Sequence, residues 1–265
     1  MNNLYDIPAQ LIAGAFLVLL LMAVELGHAL GRRVDARDWE ISSGAYATMA
    51  GAVLGLLGLL LAFSFGMADA RYGARKAVVL KEANAIGTAY LRASFLDAST
   101  EPRMKALMRQ YVDARMAEYE GRSDVQTAQR SQTRIAALQQ QLWTLAASGE
   151  TYREPKAASF SLFTSSLNDV IDVSSEQKAA RDNRVPDAVL WLLFSVAVLS
   201  GALGGFAFGA TRHRNVLVTL TFSVLVSLVV FTILDLDRPR RGVIQVDLTP
   251  MRELQESLGQ PEPAR

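Results

Sequence analysis

Hydrophobic and polar positions are strongly segregated along this chain. Apolar residues run together in four stretches, residues 7–30, 45–67, 188–209 and 216–234, from which charges are nearly absent. Each is close to the ~20 apolar residues that an α-helix needs to cross a ~30 Å hydrocarbon core. The pattern predicts an all-α integral membrane protein with four spanning helices. Elsewhere apolar positions recur every three or four residues, the period of an amphipathic helix. Leu107, Tyr111 and Met116 mark a helix that begins near Thr100, with Pro102 in its first turn. Ile135, Leu138, Leu142 and Leu145 mark another over 123–147, closed by Gly149 and Pro155. Phe160, Phe163, Leu167, Val170 and Ile171 mark a third, and Pro186 then opens the third span. Residues 68–186 are thus expected to form a helical bundle continuous with the membrane helices, and Thr249-Pro250 to start a short helix in the tail 235–265. The whole chain, 1–265, is expected to be one membrane domain.

The second span extends furthest. From residue 44 to 91 the pattern reads as one helix, with small residues on one face: Gly44, Thr48, Gly51, Gly55, Gly58, Ala62 and Gly66, then Gly73 and Ala77. Small side chains let helix backbones approach closely in lipid, where packing replaces the hydrophobic effect as the driving force. Glycine costs about 1 kcal/mol in a water-exposed helix, so Gly66, Gly73 and Gly87 are expected to lie on covered faces. Gly201, Gly205 and Gly209 repeat the spacing on the third span. Thr219, Ser223 and Ser227 place hydroxyls at steps of four on the fourth, either lining a wet path or bonding back to preceding carbonyls.

Charge sets the orientation. Basic residues near span ends stay in the cytoplasm. Arg71, Arg75, Lys76, Lys81, Lys178, Arg181, Arg184, Arg238, Arg240 and Arg241 fall on one side, against Arg32, Arg33, Arg37, Arg212 and Arg214 on the other. Both termini and the bundle are therefore expected in the cytoplasm of a multi-pass membrane protein. The first span, with no basic residue before it, is expected to stay as an anchor rather than a cleaved signal.

Catalytic signatures are missing. There is no cysteine, only His28 and His213, no phosphate-cradling loop, no dinucleotide fingerprint and no Gly-x-Ser-x-Gly elbow. No enzymatic activity, cofactor or resident metal is expected, and near-balanced charge argues against nucleic-acid binding. Two ionisable pairs stand out. Glu25 and His28, on one face of the first span, read as a proton or ion relay, or as neutralisers of Arg32 and Arg33 at the interface. Asp235 and Asp237 read as a cation site or as salt-bridge partners of nearby arginines.

Specific strings add a family. Leu59-Leu60-Leu61-Ala62-Phe63, Ala70-Arg71-Tyr72-Gly73-Ala74-Arg75-Lys76 and the run from Glu82 to Arg92 resemble bacterial bestrophin-like membrane proteins. So do Leu167-Asn168-Asp169-Val170-Ile171-Asp172, Val185-Pro186 and Asp235-Leu236-Asp237-Arg238-Pro239. More distantly the chain is similar to bestrophin anion channels. The resemblance implies a homopentamer in the lipid bilayer of the bacterial inner (plasma) membrane, whose second spans surround a pore for small inorganic ions. Ser64-Phe65-Gly66 replaces an Arg-Thr-Asn stretch common in that group, and the acidic calcium clasp of the animal channels has no full counterpart. Ion selectivity and calcium dependence are therefore not carried over. If the small stripe packs subunits together, Ala52, Leu56, Leu60 and Phe63 face the axis as an apolar neck, with Arg71, Arg75 and Lys76 as a basic vestibule. If the stripe itself faces the axis, the register shifts. The alternative function is a non-conducting scaffold or sensor whose bundle recruits a partner.

Overall fold

A computed structural model describes residues 7–121, 125–148, 157–238 and 242–259; Ser123, Gly149 and Pro155 lie outside these. Among the described residues the chain is all-helical. In order come α1 (Ala9–Gly31), α2 (Ala36–Arg92), a 3-10 turn (Ala93–Phe95), α3 (Glu101–Glu120), α4 (Val125–Ala147), α5 (Ala157–Asp182), α6 (Asp187–Ala210), α7 (Val216–Leu236) and α8 (Thr249–Gly259). Four helices are long and apolar enough to cross a membrane. α2 starts well before Gly44. The Asp35 carboxylate accepts the Arg37 amide at 3.0 Å and its carbonyl accepts the Trp39 amide at 3.0 Å, so Asp35 starts the helix.

The contacts divide into two compact units. One holds α1, α2 as far as Arg71, α6 and α7; the other holds α2 from Tyr72, α3, α4, α5 and α8.

In the first unit α1 packs chiefly on α6 and then on α7. Glycine on both helices brings the backbones together. A Cβ at Gly27 or Gly31 would strike the backbone of Ala202 or Phe206, and one at Gly205 or Gly209 would strike that of Val24 or His28. At such separations main-chain van der Waals and Cα–H···O contacts hold the pair. Phe16 and Phe194 extend the contact, with ring centroids 4.9 Å apart. The start of α2 joins α6 through Tyr46, whose hydroxyl donates to the Leu203 carbonyl and whose ring stacks on Phe206 at 5.4 Å. Thr219 bonds back to the carbonyls of Asn215 and Val216, whereas the buried hydroxyls of Ser223 and Ser227 have no hydrogen-bond partner. Back-bonding therefore describes only the first member of that hydroxyl row.

The second unit has an ordinary apolar core. Val79, Ile86 and Tyr90 of α2 meet Met104, Met108 and Tyr111 of α3, Leu138 and Leu142 of α4, and Phe163, Leu167 and Val170 of α5. Burying each such side chain contributes about 1.5–3 kcal/mol. α8 adds Met251 and Leu258 to this core, and the Leu254 Cδ1 lies 3.4 Å from where a Cβ on Gly87 would sit. Of the three glycines expected on covered faces, Gly87 is covered; Gly66 and Gly73 meet nothing within 4 Å. At the head of α3, Asp97 Oδ1 accepts the Ser99 hydroxyl at 2.6 Å and the amides of Ser99 and Thr100 at 2.9 Å. The Ser99 hydroxyl first, and Thr100 next, hold the Asp97 carboxyl down at about 2.

Two outcomes follow from this packing. Gly205→Val is expected to lose about 1–3 kcal/mol of stability in detergent unfolding, while Gly55→Val, with nothing within 4 Å, leaves the fold of the chain itself unchanged. Because the Asp97 pKa is depressed on folding, its contribution is present above the ordinary value of 3.8 and fades as pH falls towards about 2. Melting curves of Asp97→Asn should therefore lose less stability than the parent over that acid window.

Candidate functional site

The faces of α2 define the site. Leu57, Ser64, Ala68, Arg75, Val79, Glu82 and Ile86 are buried at spacings of three, four and seven, so one line along the helix belongs to its own chain. At about 100° per residue, the small row sits most of a half-turn from that line. Gly44, Gly51, Gly55, Gly58, Gly66 and Gly73 are all exposed, and a Cβ on any of them would meet nothing within 4 Å. Gly201, Gly205 and Gly209 differ, because they face α1 within the chain.

The neck candidates separate on the same criterion. Ala52, Leu56 and Phe63 are exposed, Leu56 by 48% and Phe63 by 63%, while Leu60 is only partly exposed because it turns towards the covered side. Leu59, 53% exposed, lies between the small row and Phe63 and was missed in sequence because its row is read from helical phase only once the buried line is known. The basic residues separate too. Lys76 is exposed and Arg71 half-buried, with an Arg71 Nη1 bond to the Met67 carbonyl at 3.0 Å. Arg75 is 6% exposed and points inward. A buried Arg75 does not lie on an open face of α2.

The other ionisable pairs find unexpected partners. Glu25 Oε1 accepts from Arg214 Nη2 at 2.6 Å rather than from Arg32 or Arg33, and His28 is half-buried. Asp235 and Asp237 are fully buried and hold backbone. Asp235 accepts the amides of Val243 at 2.9 Å and Ile244 at 2.7 Å, and Asp237 accepts the Val185 amide at 3.0 Å. A Cβ on Gly242 would crowd the Asp235 carboxylate at 3.1 Å, so glycine there allows the clasp. Among the described residues no group of three potential metal ligands occurs.

A buried charge cluster in the second unit was also missed. Arg115 donates from Nε to Glu82 at 2.5 Å, from Nη2 to the same carboxylate at 2.8 Å, and from Nη1 to Glu118. Glu118 also takes Arg181 Nη1 at 2.7 Å, and the Tyr119 hydroxyl donates to Glu82 at 2.7 Å. Burial alone would lower the Arg115 pKa, yet Glu82 holds it above its ordinary value; burial and then Glu82 raise that of Tyr119. The signal in sequence was a carboxylate, Glu82, on the apolar row between Val79 and Ile86.

Residues 18–251 match the family model for a bestrophin-like domain. The chain belongs to the bestrophin-like family. The bestrophin-like fold is shared with solved structures at low identity. A point variant of a bacterial bestrophin homologue from Klebsiella pneumoniae matches at TM-score 0.64 and 15% identity, over 92% of this chain and 99% of that one. A second variant of that homologue matches at TM-score 0.65 and 14% identity, over 93% and 100%. A membrane protein matches at TM-score 0.58 and 18% identity, over 93% and 99%. No curated protein matches.

Removing one member of the charge cluster strands the others. Arg115→Met is expected to cost about 3–5 kcal/mol, and the Glu82→Leu/Arg115→Met pair clearly less than the sum of its singles. A double-mutant cycle on thermal or denaturant unfolding measures the coupling.

Proposed function

We propose that the bestrophin-like chain assembles into a homopentamer of the bacterial inner membrane and conducts small inorganic ions, anions among them, along an axis lined by α2. Both termini and the second unit lie in the cytoplasm. The observation that carries this reading is the open face of α2. Its glycines meet nothing within 4 Å in the chain itself, although small faces are stabilised in lipid only by close helix contact. Copies of the same helix supply that contact, and the side farthest from the chain's own packing then turns to the axis.

The small row packs against the neighbouring α2, and the exposed residues beside it, Ala52, Leu56 and Phe63 with Leu59 between the rows, make the apolar neck. A ring of such side chains gates by dewetting. Arg71 and Lys76, repeated by symmetry below the neck, raise the local anion concentration. Glu25 with Arg214, and the two aspartates with their amides, take no part in conduction; they hold helix ends.

Stoichiometry and current test the reading together. Native mass measurement should give five chains, and reconstituted bilayers an anion-selective current. Phe63→Ser should raise that current several-fold by wetting the neck, and Gly55→Val should shift the complex to smaller species. A confirmed pentamer with no current under any ion gradient, or a monomer, would sink the proposal.

A further inference from the structure

In the first unit α1 and α6 end side by side. A Cβ on Gly31 would strike the Phe206 carbonyl and lie 2.8 Å from the Ala210 nitrogen, and one on Gly209 would strike the His28 carbonyl and lie 3.0 Å from the Arg32 nitrogen. The two helices therefore run parallel, and the turns that follow them start next to each other. These turns carry Arg32, Arg33, Arg212 and Arg214, all exposed. Arg214 reaches back to Glu25 at 2.6 Å. Arg32, Arg33 and Arg212 make no side-chain hydrogen bond or ion pair among the described residues. Asp35 is taken up by the Arg37 amide at the start of α2, and neither it nor Glu40 pairs with these arginines among the described residues. The two helix C-termini carry about half a negative charge each, enough to balance about one of the three guanidinium groups. Arg212 is also the one non-glycine residue at positive φ, 57°, among the described residues. Just past a helix end that conformation favours glycine, and no bond of the Arg212 side chain within the chain offsets the strain.

We infer that this end of the first unit binds the phosphodiester headgroup of an anionic phospholipid, held by Arg32, Arg33 and Arg212, with its acyl chains along Leu26 and Leu30. Aromatic rings mark the level. Phe206, whose carbonyl faces Gly31, stacks on Tyr46 at 5.4 Å and meets Trp39 at 6.1 Å, and tryptophan and tyrosine concentrate where hydrocarbon gives way to headgroups. On the α1 flank Leu26 and Leu30 are exposed by 62% and 47%, open to acyl chains. The planar fork of a guanidinium matches two phosphate oxygens, and such charge-assisted bonds are about twice as strong as neutral ones. A zwitterionic lipid carries the same phosphate, but its ammonium is repelled by the same arginines. A soluble phosphate ester lacks the apolar body that the leucine flank covers.

Phosphatidylglycerol is the probe, titrated in detergent into the purified full chain stripped of lipid, with retained lipid counted per chain by native mass measurement. It should bind about tenfold or more tighter than phosphatidylcholine, and glycerol phosphate, the head without chains, should not displace it. Each arginine near a membrane surface contributes about fivefold. Arg212→Gly, which suits the positive φ, should therefore melt no lower than the parent yet bind phosphatidylglycerol about fivefold more weakly. Adding Arg32→Gln and Arg33→Gln should bring the loss to about a hundredfold, with phosphatidylcholine unchanged. Lys178→Gln removes an exposed cation of the second unit and should leave binding as it was. The inference is overturned if phosphatidylcholine binds as well, if glycerol phosphate displaces the lipid at equal concentration, if Arg212→Gly or the folded triple variant binds unchanged, or if Lys178→Gln weakens binding as much as Arg212→Gly. Lipid is counted per chain in whatever oligomer forms, so a negative result leaves the channel reading standing.

Discussion

One face of α2 is covered by its own chain and the other is left open, and most of the structure is arranged around that split. The covered line runs through Leu57, Ser64 and Ala68 in the first unit and through Val79, Glu82 and Ile86 in the second. α2 is unbroken from Ala36 to Arg92, and each unit buries its own part of it in a core of its own. The glycines of the small row, most of a half-turn away, meet nothing within 4 Å among the described residues.

The two units hold themselves together by different physics. In the first, apolar side chains gain little from meeting each other in lipid, and glycine lets α1 and α6 approach until main chains touch. In the second, aromatic and aliphatic burial supplies the driving force, and a charge cluster at its edge is satisfied by bidentate and shared bonds. Such a cluster is costly to break and is not a large net source of stability. What it does supply is a fixed place for Arg181 and Tyr119.

Aspartate serves as a backbone holder throughout. Asp35 and Asp97 accept amides at helix starts, Asp235 accepts two from the segment that follows its helix, and Asp237 accepts one from Val185, far back in the sequence. In a low-dielectric setting an unmet amide is expensive, and a carboxylate that takes two of them substitutes for the missing turn of helix. Read as a string, Asp235-Leu236-Asp237 offers oxygens to a cation or to nearby arginines; the folded chain uses those oxygens for the amides of Val243, Ile244 and Val185.

By itself the sequence determined the four spans, the helical segments between and after them, and the family, because apolar run length, three-and-four periodicity and exact strings are local properties of the chain. It also determined that α2 has a small face. Which neighbour each face meets was decided only by tertiary structure. Gly201, Gly205 and Gly209 look like Gly51, Gly55 and Gly58 in spacing, yet the first set is pressed against α1 and the second meets nothing. Leu60 and Leu56 look alike, yet only Leu56 lies open. Arg75 and Lys76 are adjacent, yet one is buried and the other exposed. Periodicity defines faces relative to one another on a single helix. Their absolute direction, and the pairing of Arg115 with Glu82 or Asp237 with Val185, depends on which other segments fold back against them, and no local pattern carries that information.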